Sequence, residues 1–268
     1  WLIGGALLII TLLRSAAVII TPLELGVDEA QYWLWSQTLD FGYFTKPPLI
    51  AWIIGLAHWI FGHQTWAVRL PACWIHLITA LLLWRGALWL FGQQAGRLAA
   101  LIWISLPAAG LGSFLISTDT PLLALWSAGL LAVCGIASRR LSSSVGMVFA
   151  GLAFGAAMLA KFAAIYALIG LMLIYLHGHM MRQKLFDWRG IGIASLAFGL
   201  AASPNIIWNF ANEFLTVRHL GDNANISQQS ASMAGVWQFI GGQFAVAGPV
   251  VLLFMMIATI THWHDHKS

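Results

Sequence analysis

The chain has 268 residues, of which 60% are hydrophobic and only 8% are charged, and its mean hydropathy is +0.83. A soluble domain carries charges on about a quarter of its residues, so this composition excludes an ordinary soluble protein. The formal net charge of +4 at pH 7 is modest and forms no basic stripe, which argues against a nucleic-acid partner. Two cysteines, Cys73 and Cys134, lie far apart in apolar segments and predict neither a disulfide framework nor a metal site.

Apolar runs of about 18 residues or more recur along the chain, which is typical of transmembrane helices. The strands of a membrane β-barrel would alternate over roughly 10 residues, and these runs do not alternate. Because backbone groups in lipid must hydrogen-bond within their own segment, we expect an all-α polytopic membrane protein with one transmembrane domain over 1–268. The chain begins at Trp1 and ends in the hydrophilic tail HWHDHKS, which suggests the N-terminal part of a longer protein.

Eight membrane helices are predicted, with two shorter helices after the first. The first covers 1–21, and a polar segment rich in Trp and Tyr follows at 22–65. Within it, DEAQYWLWSQTL predicts an amphipathic helix at the membrane interface, and PPLIAWIIGLAHWIF predicts a short helix with prolines in its first turn. The other membrane helices are predicted at 66–91, 96–116, 121–137, 145–160, 162–177, 190–209 and 235–261.

The charges favour one orientation. With the N-terminus in the cytoplasm, eight of the thirteen basic residues fall in cytoplasmic turns, as the positive-inside rule requires. The acidic residues that then lie on the outer face are Glu24, Asp28, Glu29, Asp40, Asp119, Glu213 and Asp222. A secondary transporter would carry its polar groups at the midplane. Polar groups at one surface instead favour an enzyme that meets a lipid-borne substrate.

The polar segment, GVDEAQYWLWSQTLDFGYFTKPPLIAW followed by AVRLPA, resembles the first outer loop of the family 39/83 glycosyltransferases of GT-C fold. ISTDTPLLALW resembles the second acidic turn of that family. GLAFGAAMLAKF and SPNIIWNFANEF resemble two later elements, G-L-x-x-G-x-x-x-L-x-K and P-x-x-x-W-x-x-x-N-[DE]-F. The family includes protein O-mannosyltransferases, aminoarabinose transferases acting on lipid A, and Rgt-type galacturonosyltransferases. The pieces stand in the family's order and cover nearly the whole chain.

The resemblance implies transfer of a sugar from a polyprenyl-phosphate carrier to lipid A, another glycan or a protein, on the outer face of a bacterial inner membrane. It assigns Asp28 as the candidate catalytic base, Asp119 as the second acidic position, and Lys46 as the contact of the carrier phosphate. The chemistry agrees, because a carboxylate accepts the acceptor's proton and a cation stabilises the leaving phosphate. The further substrate-binding candidates on this face are Glu29, Tyr32, Tyr43, Arg69, Lys161 and His219.

The resemblance does not establish a cofactor. Family members often have an acidic residue just before K-P-P, and some bind a divalent metal there. Thr45 occupies this position here, which argues against a metal. The histidines at 177–179 and 262–266 also suggest metal ligands, but the predicted topology puts them on the cytoplasmic side.

Structural alternatives exist for each candidate. Asp28 and Glu29 suit the first turn of an interfacial helix, where the helix dipole favours acids. Lys46 suits a snorkelling position at the interface, and Asp119 suits a helix cap before Pro121. For the whole chain, a transporter or flippase of lipid-linked substrates and a non-catalytic membrane subunit remain the alternatives to an enzyme.

Overall fold

The computed structural model of the protein describes residues 2–180, 185–224 and 232–265, and every regular element in these ranges is helical. The α-helices are α1 (Leu2–Ile20), α2 (Val27–Ser36), α3 (Leu49–Phe61), α4 (Thr65–Phe91), α5 (Gln93–Ser105), α6 (Pro107–Phe114), α7 (Asp119–Ala137), α8 (Ser143–Met158), α9 (Tyr166–Met180), α10 (Trp188–Ala211), α11 (Leu215–Ala224), α12 (Met233–Ala247) and α13 (Pro249–Asp265). A 3₁₀ helix at Phe162–Ile165 leads directly into α9.

Several of these helices can cross a membrane. In the described ranges, α1, α4, α7, α10 and the continuous segment Phe162–Met180 are long and apolar enough. The pairs α5–α6 and α12–α13 pass the same test only as bent units, so the number of spans rises to seven if each pair is one span. The architecture is therefore that of a multi-span helical membrane protein, as the composition predicts.

The structure differs from the predicted elements in three places. The helices predicted at 96–116 and 235–261 are each broken, with bends of 57° and 101° between their halves. Both breaks precede a proline, which lacks a backbone donor and disfavours helical geometry in the residue before it. The interval between the helices predicted at 190–209 and 235–261 contains a further helix, α11.

Small residues allow α8 to pack tightly against α10. A Cβ atom on Gly151 would overlap the carbonyl of Ala194, and one on Gly155 would overlap the carbonyl of Phe198. The Gly-x-x-x-Gly pair of α8 is therefore a helix-packing feature. The contact holds α8, and the chain that follows it, against the middle of the bundle.

The polar segment folds over one end of the bundle. Tyr32 of α2 and Ile50 and Ile54 of α3 pack into one core cluster with residues of α4. The loop 37–48 is fastened to α10, because Asn205 Nδ2 donates to the Phe41 carbonyl at 2.8 Å and Trp208 Nε1 donates to Asp40 Oδ2 at 2.8 Å. We call this the acidic end of the bundle, since Asp28, Asp40 and Asp119 lie here.

Candidate active site

Asp28 and Asp119 line one cavity at the acidic end. Its volume is about 890 Å³, and its walls come from α2, α4, α6, α7 and Val246 of α12. Asp28 lies in the first turn of α2 and Asp119 is the first residue of α7, so both carboxylates sit at helix starts. The acidic pair that is 91 positions apart in sequence is thereby brought to one concave site.

Glu29 and Arg69 form a buried ion pair, of which Glu29 is part of the cavity lining. Arg69 Nη2 and Nε donate to the two carboxylate oxygens of Glu29 at 2.7 and 2.9 Å, and the side chains are only 1% and 5% exposed. Arg69 also donates to the carbonyls of Leu23 and Glu24, while Glu29 accepts from the backbone of Ile116. Their polar atoms are thus occupied by protein groups, and the pair holds the start of α2 against α4 and the turn before α7.

Asp119 pairs with Lys161. The Lys161 ammonium donates to both carboxylate oxygens at 2.8 and 3.1 Å, and the two side chains are 51% and 40% exposed for Asp119 and Lys161 respectively. Lys161 lies in extended backbone between α8 and the 3₁₀ helix, which lets its side chain reach the start of α7. The pair is accessible to a ligand, in contrast to the buried pair of Glu29 and Arg69.

Asp28 differs from both of these acids. Its side chain is exposed and lines the cavity, and it forms no ion pair within residues 2–180, 185–224 and 232–265. A carboxylate without a cationic partner keeps its lone pairs available for the proton of a bound hydroxyl or amine. The geometry therefore distinguishes Asp28 as the candidate base from Asp119 as a charge-paired neighbour.

Tyr32 lies under the two carboxylates and not in the cavity wall. It is 2% exposed, and its hydroxyl lies beside the Thr118 side chain. Burial, followed by the negative charges of Asp28 and Asp119, raises the pKa of Tyr32 to about 12. Its hydroxyl therefore stays protonated at neutral pH.

Tyr43 organises the loop 37–48. Its ring stacks on Trp35 at 4.8 Å, and its hydroxyl donates toward the carbonyls of Trp35 and Thr38 while it accepts from the Asp40 amide. Burial raises the pKa of this hydroxyl as well. Like Tyr32, Tyr43 is absent from the lining of the 890 Å³ cavity. The structure thus places both tyrosines, which we expected to line the pocket, in the supporting framework.

Lys46 belongs to the same loop, and His219 of α11 contacts it. Lys46 is partly exposed and forms no ion pair in the part of the chain that the structure describes. Three residues later, the Leu49 amide donates to the Leu159 carbonyl at 2.8 Å, which brings this loop close to the backbone before Lys161. The His219 ring contacts the Phe44 ring at 4.7 Å. The loop that carries Lys46 and the backbone just before Lys161 are therefore joined at one junction, while His219 packs against the loop.

A deeper polar group was not predicted as part of the site. Arg14 of α1 donates to Ser113 Oγ at 3.0 Å and to the Ile104 carbonyl at 2.7 Å, at the bend between α5 and α6. His76 of α4 lines the cavity, is 3% exposed, and has no hydrogen-bond partner on either ring nitrogen among the described residues. Charged residues inside membrane helices usually have a functional role. The position of Arg14 within a predicted membrane helix was therefore the sequence signal that could have identified this group.

The residues near Thr45 do not fit a divalent metal. In the described ranges no three His, Cys, Asp or Glu side chains lie together in a group that could hold a metal ion. The Thr45 hydroxyl is buried, neutral and without a partner there, so it offers a weak donor where a carboxylate would be needed.

Comparison with known proteins places this architecture among membrane glycosyltransferases. Residues 45–208 match the family described as dolichyl-phosphate-mannose-protein mannosyltransferase. The lipid A galacturonosyltransferase RgtD of Rhizobium johnstonii is 34% identical over 95% of this chain. The undecaprenyl phosphate-alpha-4-amino-4-deoxy-L-arabinose arabinosyl transferase 1 of Sodalis glossinidius is 29% identical over 67% of this chain. The chain spans 54% and 32% of the lengths of these two relatives.

A solved structure shares the fold. The crystal structure of ArnT from Cupriavidus metallidurans bound to undecaprenyl phosphate superposes with a TM-score of 0.76 over 95% of this chain, which covers 50% of that protein, at 21% sequence identity. This likeness shows a GT-C-type membrane fold, as the resemblance of the polar loop implies.

Proposed function

Since the chain belongs to the dolichyl-phosphate-mannose-protein mannosyltransferase family, we propose that it carries the catalytic part of a membrane glycosyltransferase. The donor is a sugar linked to a polyprenyl phosphate, and the acceptor is a hydroxyl or an amine. One observation supports this most strongly: Asp28 is an exposed carboxylate without an ion-pair partner among the described residues, and it shares a cavity with Asp119, which pairs with Lys161. The two acids therefore have different tasks.

Asp28 acts as the general base. As the acceptor oxygen or nitrogen attacks the anomeric carbon, its proton passes to the Asp28 carboxylate. The new bond to the anomeric carbon forms while the bond to the phosphate oxygen breaks, and the bonding electrons leave with the phosphate. Direct displacement of this kind inverts the anomeric configuration. Asp119, held by Lys161, orients the acceptor beside Asp28.

The leaving phosphate needs cations. Lys46 is the ammonium without an acidic partner in the described ranges, and Lys161 lies near the same junction of backbone. Preorganised positive charge at the phosphate stabilises the transition state more than the ground state. We assign the phosphate contact to Lys46, with Lys161 as its neighbour. Glu29, Arg69, Tyr32 and Tyr43 act as positioning residues, because their polar atoms are engaged within the protein.

The relatives suggest the acceptor and the membrane. One relative is named a lipid A galacturonosyltransferase, and another is named for an undecaprenyl phosphate-linked aminoarabinose. We infer lipid A as the acceptor class, with other glycans and proteins as alternatives. The membrane is the bacterial inner membrane, and the acidic end faces the periplasm, because arginines concentrate at the opposite end. Residues 1–268 act as one transmembrane domain in this proposal.

The test compares Asp28→Asn with Glu24→Gln in the full-length protein. Both changes remove one charge from an exposed acid of the same segment, but Glu24 does not line the cavity. Membrane vesicles receive radiolabelled polyprenyl-phosphate sugars and lipid A, and label in lipid A is counted. We expect Asp28→Asn to lose at least about a hundredfold in rate, the scale of a general base, while Glu24→Gln stays near wild type.

The outcomes separate the alternatives. Equal transfer rates for the two variants would show that Asp28 is not the base and only stabilises the start of α2. A wild-type protein that moves the lipid-linked sugar across the vesicle membrane without transferring it would be a flippase. If a variant in which Asp28, Lys46 and Asp119 are all replaced still restored full function to cells that lack the protein, the chain would be a non-catalytic subunit.

A further inference from the structure

The end of the bundle opposite to Asp28 and Asp119 carries a concentration of positive charge. Arg85 lies near the end of α4, Arg97 near the start of α5, and Arg139 and Arg140 in the turn between α7 and α8. We call this the basic end. It lies about 20 residues of membrane helix away from the candidate active site, so the groups there cannot touch the reacting sugar.

Two of these arginines converge on one indole. The guanidinium carbons of Arg85 and Arg140 lie 5.1 and 5.7 Å from the centroid of the Trp89 ring. In the described part of the chain, neither guanidinium forms an ion pair. Asp187, the acid before α10, is engaged as a helix cap by the Gly190 amide. Two like charges held around one ring without a counter-charge form a site that an anion would stabilise.

The position of Arg140 is built into the backbone. The amides of Arg140 and Leu141 both donate to the Gly135 carbonyl, at 2.8 and 3.0 Å, which ends α7 with a tight turn. Arg139 takes the left-handed conformation in this turn, with φ of 56°. The Leu141 side chain then packs over Gly135 next to the Trp89 ring. The backbone of Arg140 is therefore fixed by this turn, and its exposed side chain reaches the Trp89 ring.

An apolar groove begins at the same indole. It has a volume of about 430 Å³ and runs between α7 and α8, with Trp89 and Leu141 at one end. Alanines on both helices, among them Ala128 and Ala153, leave the groove open, and its lining is apolar apart from the indole. The indole N–H of Trp89 is buried and has no acceptor among the described residues. A polar donor and two cations thus stand at the mouth of a channel suited to a hydrocarbon chain.

We propose that the basic end binds an anionic glycerophospholipid, with its phosphate between Arg85 and Arg140 and one acyl chain in the groove between α7 and α8. The lining of α7 from Leu125 to Ala132 extends about 10 Å along the helix, which is a large part of the roughly 15 Å depth of one leaflet. Basic pockets between membrane helices on the cytoplasmic side bind anionic headgroups in this way. A zwitterionic lipid would supply the chain but not the net charge.

The experiment is lipid titration of the full-length protein by native mass spectrometry in detergent. The lipids are phosphatidylglycerol and phosphatidylcholine with identical chains, and inorganic phosphate is the third probe. We expect phosphatidylglycerol to bind at least about tenfold more tightly than phosphatidylcholine, and inorganic phosphate not to compete at millimolar concentration. Equal binding of the two lipids, or displacement by phosphate alone, would overturn the proposal.

Variants test both halves of the site. Arg85→Gln with Arg140→Gln should weaken phosphatidylglycerol binding at least about tenfold. The matched control, Arg97→Gln with Arg139→Gln, removes the same charge from the same end without touching Trp89, and should change binding less than about threefold. Equal losses in the two double variants would contradict a specific site.

The groove is tested without changing any charge. Ala128→Phe and Ala153→Phe each fill it and leave both arginines in place. Each should reduce phosphatidylglycerol binding at least about tenfold in protein that remains monodisperse and keeps its wild-type unfolding temperature. Undiminished binding by well-folded filled variants would show that no chain enters the groove. None of these measurements depends on transferase activity.

Discussion

Burial divides the charged residues of the site into two kinds. Glu29 and Arg69 are enclosed and bonded to each other and to backbone groups, so their interaction fixes the position of three chain segments. Asp119 and Lys161 are about half exposed, so a ligand can reach them. The same pair chemistry is therefore structural in one case and accessible to a ligand in the other.

Glu29→Gln should destabilise the protein strongly. It leaves the buried guanidinium of Arg69 without a counter-charge, which costs about 3–5 kcal/mol in the free energy of unfolding. The control is Glu213→Gln, which removes one partner of an exposed pair with Arg218 at 3.6 Å and should cost at most about 1 kcal/mol. Unfolding of the purified variants in detergent measures both. Similar small losses in the two variants would show that the buried pair is not needed to hold the segments together.

Tyr32 should make stability depend on alkaline pH. Its pKa is about 12 in the folded protein and about 10 in an unfolded chain. As the pH rises, the unfolded chain therefore loses this proton before the folded protein does. The contribution of the protonated Tyr32 to the free energy of unfolding is complete below pH 10 and is lost as the pH rises toward 12. Melting temperatures between pH 9 and 11.5 should fall more steeply for wild type than for Tyr32→Phe. Parallel curves would mean that burial and the nearby carboxylates do not act on this hydroxyl.

At the scale of elements, the sequence locates helices better than it locates breaks. The helix predicted at 66–91 is found at Thr65–Phe91, because apolar runs of membrane length are unambiguous. Pro71 and Pro204 lie inside α4 and α10, whereas Pro107 and Pro249 follow breaks. A proline removes one donor in all four cases, and the packing around it decides whether the helix continues.

Gly42 should be needed to fasten the loop 37–48 onto α10. A Cβ atom there would overlap the Trp208 ring and lie 2.8 Å from Asn205 Nδ2, at the contacts that hold the loop. Gly42→Ala should weaken the packing of the loop 37–48 against α10 by about 1–3 kcal/mol. It should also lower the transfer rate at least about tenfold, because Lys46 follows in the same loop.

Gly199→Ala is the matched control for this change. A Cβ atom at Gly199 in α10 meets nothing within 4 Å, so the variant should keep its activity and gain up to about 1 kcal/mol from helix propensity. Transfer rate and limited proteolysis of the loop are the measurements. A Gly42→Ala protein that resists proteolysis and transfers at the wild-type rate would show that the loop tolerates displacement.

At the scale of the whole molecule, the sequence predicts which end holds the polar groups but not how they pair. Apolar run lengths and the acid distribution are local properties, and they indicate both the helical class and the acidic end. The pairings of Glu29 with Arg69 and Asp119 with Lys161 join residues 40 and 42 positions apart. Asp40 contacts Trp208 across 168 positions. Such contacts depend on how the helices pack, which periodicity does not reveal.

The separation of charge between the two ends predicts the orientation of the molecule. We expect the arginines to keep the basic end in the cytoplasm, because moving short basic turns across the membrane during insertion is unfavourable. Cysteines introduced for Glu24 and Glu213 at the acidic end should therefore react with a membrane-impermeant maleimide in intact cells whose outer membrane has been permeabilised. A cysteine introduced for Arg97 should react only after the inner membrane is broken.

The native cysteines set the background for this measurement. Cys73 is buried and Cys134 is partly buried in α7, so wild type should label weakly in both conditions. Labelling of the Arg97 position in intact cells, with protection of the Glu24 and Glu213 positions, would place Asp28 in the cytoplasm. The proposed transfer to a periplasmic acceptor would then be wrong, whereas the fold would be unaffected.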